Sequence, residues 1–144
     1  MATKTMALDK HQASTLINDF FEQFQTSCNQ STPPRSSDFE SILSPQFHIK
    51  DNEHTLARNL QEYVSHLGKL QQKYSHFKIV HSKEEPLVCD NRIAIQYELH
   101  ATLRQGGQVN QMLMIAIATL ENNHFKSWTE VVYHKNSGQP HWHA

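Results

Sequence analysis

Apolar positions early in the chain recur at helical spacing, and those in its last third alternate as strands do. In STLINDFFEQFQTS, residues 14–27, Leu16, Ile17, Phe20, Phe21 and Phe24 share one face of an amphipathic helix. Asp9 or Ser14 supplies its cap. The phenylalanines require a broad apolar surface to lie against. NQSTPPRSS, 29–37, is loop by composition, and Pro33-Pro34 cannot continue a helix. Ser37-Asp38-Phe39-Glu40 fits a capping box, which predicts a short second helix through Ile42 and Leu43, ended by Pro45. QFHIKD, 46–51, reads as a short strand. HTLARNLQEYVSHLGKLQQKYS, 54–75, predicts the longest helix, with Leu56, Leu60, Val64, Leu67 and Leu70 as its stripe and Tyr63 and Tyr74 beside it. Gly68 weakens that helix by roughly 1 kcal/mol relative to alanine and suggests close packing.

Beyond this point the period changes to two. HFKIVHS is a strand, and KEEPLVCDN is a connection with strand-like LVC inside it. RIAIQYELHATLRQ, 92–105, sets Ile93, Ile95, Tyr97, Leu99, Ala101 and Leu103 on one face. Ala94, Gln96, Glu98, His100, Thr102 and Arg104 share the other. Gly106-Gly107 signals a two-residue turn, and QVNQMLMIAIATLE returns as the partner strand. Asn122-Asn123 turns again into HFKSWTEVVYHK, the last strand, and the tail NSGQPHWHA reads as loose. Helices followed by long antiparallel strands predict an α+β domain. The expected form is a curved antiparallel sheet making a cone, its concave side packed on the N-terminal helices, its wide end open to a small molecule.

Composition bounds this picture. A chain of 144 residues suits a single domain, spanning 1–144 with a core of about 12–135. Net charge is −1 with histidines neutral, so no strong field favours nucleic acid or an anionic membrane. The longest apolar run, MLMIAIATL, is far short of the ~20 residues that span a bilayer, and the N-terminus lacks the apolar core of a secretory signal. Cys28 and Cys89 make no disulfide framework and read as reduced thiols of a cytoplasmic protein. The abundance of Gln, Asn and His suits a bacterial source. The eleven histidines are scattered. His134 with the tail pair His141 and His143 is too weak a set for zinc, so no metal and no cofactor are expected.

The element order, with the phrases ILSPQFHI, RIAIQYELHATL and TLENNHFKSWTEVV, resembles the nuclear transport factor 2-like superfamily, its SnoaL-like and ketosteroid-isomerase-like group, over residues 12–135. That fold is a cystatin-like α+β roll. The last strand is similar to that of the limonene epoxide hydrolase branch, with Trp128 and Glu130 at the tryptophan and first acidic positions. The resemblance implies that Trp128 and Glu130 line a pocket; the alternative places both on the outer face, with Trp128 in a subunit interface. The branch's arginine has no counterpart at Tyr97 and Leu99, nor at Glu98 and His100 one register away. The acid of ketosteroid isomerase is missing at Ala116 and Ala118. Neither catalytic set is reproduced.

What remains is a one-carboxylate site. A glutamate in an apolar cone has a raised pKa, so Glu130 is the candidate general acid or base, with His48 as its partner at the cone mouth. Tyr97 and Tyr63 are candidate hydrogen-bond donors, and Met112 and Met114 an adaptable apolar wall. The expected ligand is a small apolar or carbonyl-containing molecule. Relatives with this fold often pair through the outer sheet face, which implies a homodimer; a purely non-catalytic association module and an isomerase, cyclase or hydrolase are the alternatives.

Overall fold

The structure, a computed structural model, describes residues 8–81 and 85–135. The first helix, α1, runs Lys10–Asn29. Of the two candidate caps, Asp9 serves: its carboxylate accepts from the Gln12 N–H, and the Gln12 side chain returns a bond to the Asp9 backbone. Where a second helix is expected there is only a 3-10 turn, Ser36–Asp38. Phe39 and Ile42 bury immediately after it, and Leu43 opens strand β1, Leu43–Asp51. Pro45 therefore lies inside a strand. It falls between Leu43 and His48, where β1 has no partner positions on its neighbour, so its missing N–H breaks no ladder.

The predicted long helix begins late. His54–Ala57 is strand β2, which folds back on β1 through Asn52 and Glu53 with φ of 46° and 71°. Leu56 continues the Leu60 stripe at helical spacing, yet it belongs to this hairpin. The helix proper, α2, is Leu60–Lys73, capped by Asn59, whose side chain accepts from the Glu62 N–H. A Cβ on Gly68 would meet nothing within 4 Å, so close packing does not explain that glycine.

After the helix come β3 (Tyr74–His81), β4 (Leu87–Cys89), β5 (Arg92–Leu103) and β6 (Val109–Glu121). The last, β7, is His124–His134. The sheet runs β2-β1-β7-β6-β5-β3, and β4 pairs with β5 beyond the stretch that β3 occupies. The order α, short turn, strands, α, strands is the predicted α+β arrangement. The sheet is curved but not purely antiparallel, because β1 runs parallel to β7. That pairing joins segments about eighty residues apart, a distance at which local pattern carries no direction.

Both helices cover one face of the sheet. Phe20 of α1 meets Phe125 at 5.5 Å and Trp128 at 5.0 Å between ring centroids, and Phe21 meets Tyr97 at 4.6 Å. Tyr63 of α2 closes on Phe39 and Phe47. These rings are the broad apolar surface that the α1 phenylalanines require. Among the described residues, no helix is long and apolar enough to cross a membrane. Cys28 and Cys89 are both free thiols.

Candidate functional site

Strand parity decides which side chains enter the space under the helices. On β5, Tyr97 and Leu99 point inward, and Gln96, Glu98 and His100 outward. On β6 the inward set is Met112, Met114, Ala116, Ala118 and Leu120. On β7, Trp128, Glu130 and Val132 point in, while Thr129 and Val131 point out. Phe125 does not follow strict alternation. A bulge between Thr119 and Leu120 of β6 shifts the register, so Phe125 buries on the same side as Trp128.

Helices and sheet leave a cavity of about 280 Å³ between them. Phe20, Phe21, Tyr63, Leu99, Met112 and Met114 form much of its apolar wall. The polar groups converge at Glu130. The residue is only 6% exposed. Its Oε1 accepts two bonds, from the indole Nε1 of Trp128 at 2.7 Å and from the Tyr97 hydroxyl at 3.2 Å. Burial pushes the Glu130 pKa up to about 7; the charge of Asp51 adds to the rise, and the two donated bonds oppose it. Tyr97 and Tyr63 are themselves held well above the usual phenol range, chiefly by burial. Both therefore remain protonated donors at any physiological pH.

Asp51 is a residue that sequence reading missed. It is the β1 partner of Glu130 in the parallel ladder, and it lines the same cavity. Burial raises its carboxyl pKa, against the pull of His134 and His54. A signal was present: Asp51 lies two residues beyond the inward Ile49, so period two places it on the same face. His66 and His134 also line the cavity. Burial lowers the His66 pKa, with Lys69 acting in the same direction.

Of the seven candidate residues, Glu130, Trp128, Tyr97, Tyr63, Met112 and Met114 are gathered around this one space. His48 is not. It follows the inward Phe47 and precedes the inward Ile49, so alternation turns it to the outer face, beside Ser127. Of the histidines considered for a metal, His141 and His143 lie outside the described residues. Among the described residues, no three of His, Cys, Asp or Glu are grouped to hold a metal ion.

No protein-family model matches the chain, and no curated protein sequence matches it. Solved structures do match in shape. A candidate SnoaL-like polyketide cyclase from Jannaschia sp. CCS1 superposes with a TM-score of 0.69 at 11% identity, covering 90% of this chain and 91% of that one. A nuclear transport factor 2-like protein from Burkholderia xenovorans LB400 gives 0.64 at 10% identity, covering 86% and 91%. A protein of ketosteroid-isomerase-like fold from Catenulispora acidiphila, solved with trimethylamine, gives 0.64 at 7% identity, covering 80% and 82%. The chain has the nuclear transport factor 2-like fold; among the described residues it is a curved, unclosed mixed sheet of seven strands on two helices.

Proposed function

We propose that this chain binds a small, largely apolar molecule in the cavity and exchanges a proton with it through Glu130. The carrying observation is a buried carboxyl group facing an apolar space, held by Trp128 and Tyr97 and titrating near neutrality. A general acid or base works best when its pKa lies close to the working pH, since both of its forms are then available. The two donors grip Oε1, so neither occupies Oε2. A cavity of about 150 Å³ already admits benzene, so 280 Å³ accommodates a ring with a short side chain. Two free cysteines support a reducing, cytoplasmic setting.

The test is to fill the space. Leu99 is half-buried on the cavity wall, and Leu99→Trp adds an indole there. A fragment screen by native mass spectrometry should find binders for the natural chain and lose them in the folded variant. Equal binding by both sinks the assignment of the cavity as the site.

A second reading rests on a separate observation. Ile115, Ile117 and Val131 are 51%, 54% and 61% exposed, and Ile115 and Val131 are ladder partners on the outer face. The polar outer side chains of β5 are partly engaged already, with Glu98 bonded to His100 and Lys135. The apolar β6–β7 half, more than the polar β5 half, therefore supports pairing with a second copy of the chain. Sedimentation at micromolar concentration should return twice the monomer mass; a monomer throughout sinks this reading.

A further inference from the structure

The polar inventory of the cavity is one-sided. Among the described residues that line it there are two carboxylic acids, Asp51 and Glu130, and no lysine or arginine. Asp51 and Glu130 are ladder partners on the same face of the sheet. Asn52 clamps this corner in place. Its backbone N–H donates to the Glu130 carbonyl at 3.0 Å, its Nδ2 donates to the Val132 carbonyl at 3.3 Å, and its Oδ1 accepts from the Val132 N–H at 2.9 Å. The two acids are thus set side by side by backbone geometry rather than by flexible loops.

The donors nearest to Glu130 are already committed. A phenol and an indole each have one hydrogen to give, and Tyr97 and Trp128 both give theirs to Oε1. Once ionised, the two acids offer a ligand acceptors: Glu130 Oε2, in a residue only 6% exposed, and the carboxyl group of Asp51. A ligand that uses both must bring the donors. It also meets aromatic walls, Phe20, Phe21, Tyr63 and Trp128, which accommodate a cation better than aliphatic walls do.

On the reading that the cavity is a ligand site, we propose that its ligands are amines: an apolar body carrying an ammonium group that docks between Glu130 and Asp51. The titratable groups that line the cavity with Glu130 are Asp51 on β1, Tyr63 and His66 on α2, Tyr74 on β3, Tyr97 on β5 and His134 on β7. α1 contributes only phenylalanines to the lining, and β6 only methionines. Burial and Lys69 both lower the His66 pKa, which disfavours its cationic form. An ammonium ion favours the ionised form of Glu130, so binding expels the Glu130 proton and strengthens as pH rises through neutrality. A ketone behaves oppositely. It needs a donor, which only protonated Glu130 supplies from that side chain, and its binding weakens over the same range.

The experiment is calorimetric titration with phenethylamine, the neutral isostere propylbenzene, the ketone benzylacetone and the anion 3-phenylpropanoate, at pH 6 and pH 8. Phenethylamine should bind about tenfold more tightly than propylbenzene at pH 8, equivalent to about 1.4 kcal/mol. It should also bind more tightly at pH 8 than at pH 6, with proton release visible as a dependence on buffer ionisation enthalpy. Asp51→Asn should remove most of the preference for phenethylamine over propylbenzene. Equal or tighter binding of propylbenzene, the ketone or the anion overturns the amine assignment while the cavity remains a ligand site. Binding of none of the four overturns both.

Discussion

The two faces of β6 and β7 reverse the usual placement of large and small side chains. Outside, Ile115, Ile117 and Val131 stand more than half exposed. Inside, Ala116 and Ala118 are fully buried. Their ladder partners explain the choice: Ala116 sits beside Glu130, and Ala118 beside Trp128. An isoleucine at either inner position would compete for the volume that the carboxyl group and the indole occupy. The small residues on β6 make room for a polar site on β7, and the branched residues are left on the surface. The inner face is therefore shaped around Glu130, whereas the outer face carries an apolar strip that no described residue covers.

If that contrast holds, the largest effect belongs to the inner indole. Trp128 is 1% exposed and contacts Phe20, Phe21, Tyr97 and Phe125. Trp128→Ala should cost about 3–5 kcal/mol in urea unfolding, since it opens a cavity and removes one donor from Glu130. A loss below about 1 kcal/mol, in the range of surface substitutions, would mean that the inner face is loosely packed and the contrast unfounded.

Next comes the carboxyl group itself. Folded Glu130 keeps its proton up to about pH 7, while the unfolded side chain releases it near 4.5. The fold thus favours the protonated form. Its contribution is complete below pH 4.5, declines above it and is lost as pH passes 7, about 3 kcal/mol in all. Glu130→Gln retains an oxygen to accept from Trp128 and Tyr97 and has no charge to bury. Its stability should match the natural chain at pH 4 and exceed it by about 3 kcal/mol at pH 8. Parallel pH profiles for the two proteins would show that Glu130 ionises without penalty. A gain in stability at the cost of proton exchange is the expected signature of a functional rather than a structural carboxylate.

Much of this inner face was legible in the chain. The Phe20, Phe21 and Phe24 spacing located α1, and alternation through Tyr97, Leu99 and Met114 located the wall. What was not legible had specific causes. Leu56 continued the α2 stripe, so a hairpin looked like the start of the helix; the turn that breaks it depends on left-handed Asn52 and Glu53, a backbone state local pattern does not encode. Val131 and Val132 are equally apolar, so composition could not say which face of β7 was buried. The bulge that moves Phe125 across, and the parallel pairing that brings Asp51 to Glu130, are non-local. His48 was misplaced for the complementary reason: its strand began three residues earlier than its local pattern indicated, and the partner that fixed its face lay at the far end of the chain.

The smallest effect is expected outside. Ile117 is 54% exposed, and threonine keeps its branching and strand preference. For the isolated protomer, Ile117→Thr should change stability by less than about 0.5 kcal/mol. If a second copy covers the strip, the natural chain gains stability by mass action, so its Tm rises with protein concentration. The variant loses that gain, and its Tm stays flat. Melting both proteins at two concentrations a hundredfold apart therefore separates two quantities that a single melt confounds. A deficit in the variant that appears only at high concentration marks an interface. A deficit already present in dilute solution means that Ile117 stabilises the protomer itself, and the two faces of the sheet are then less different than their exposure suggests.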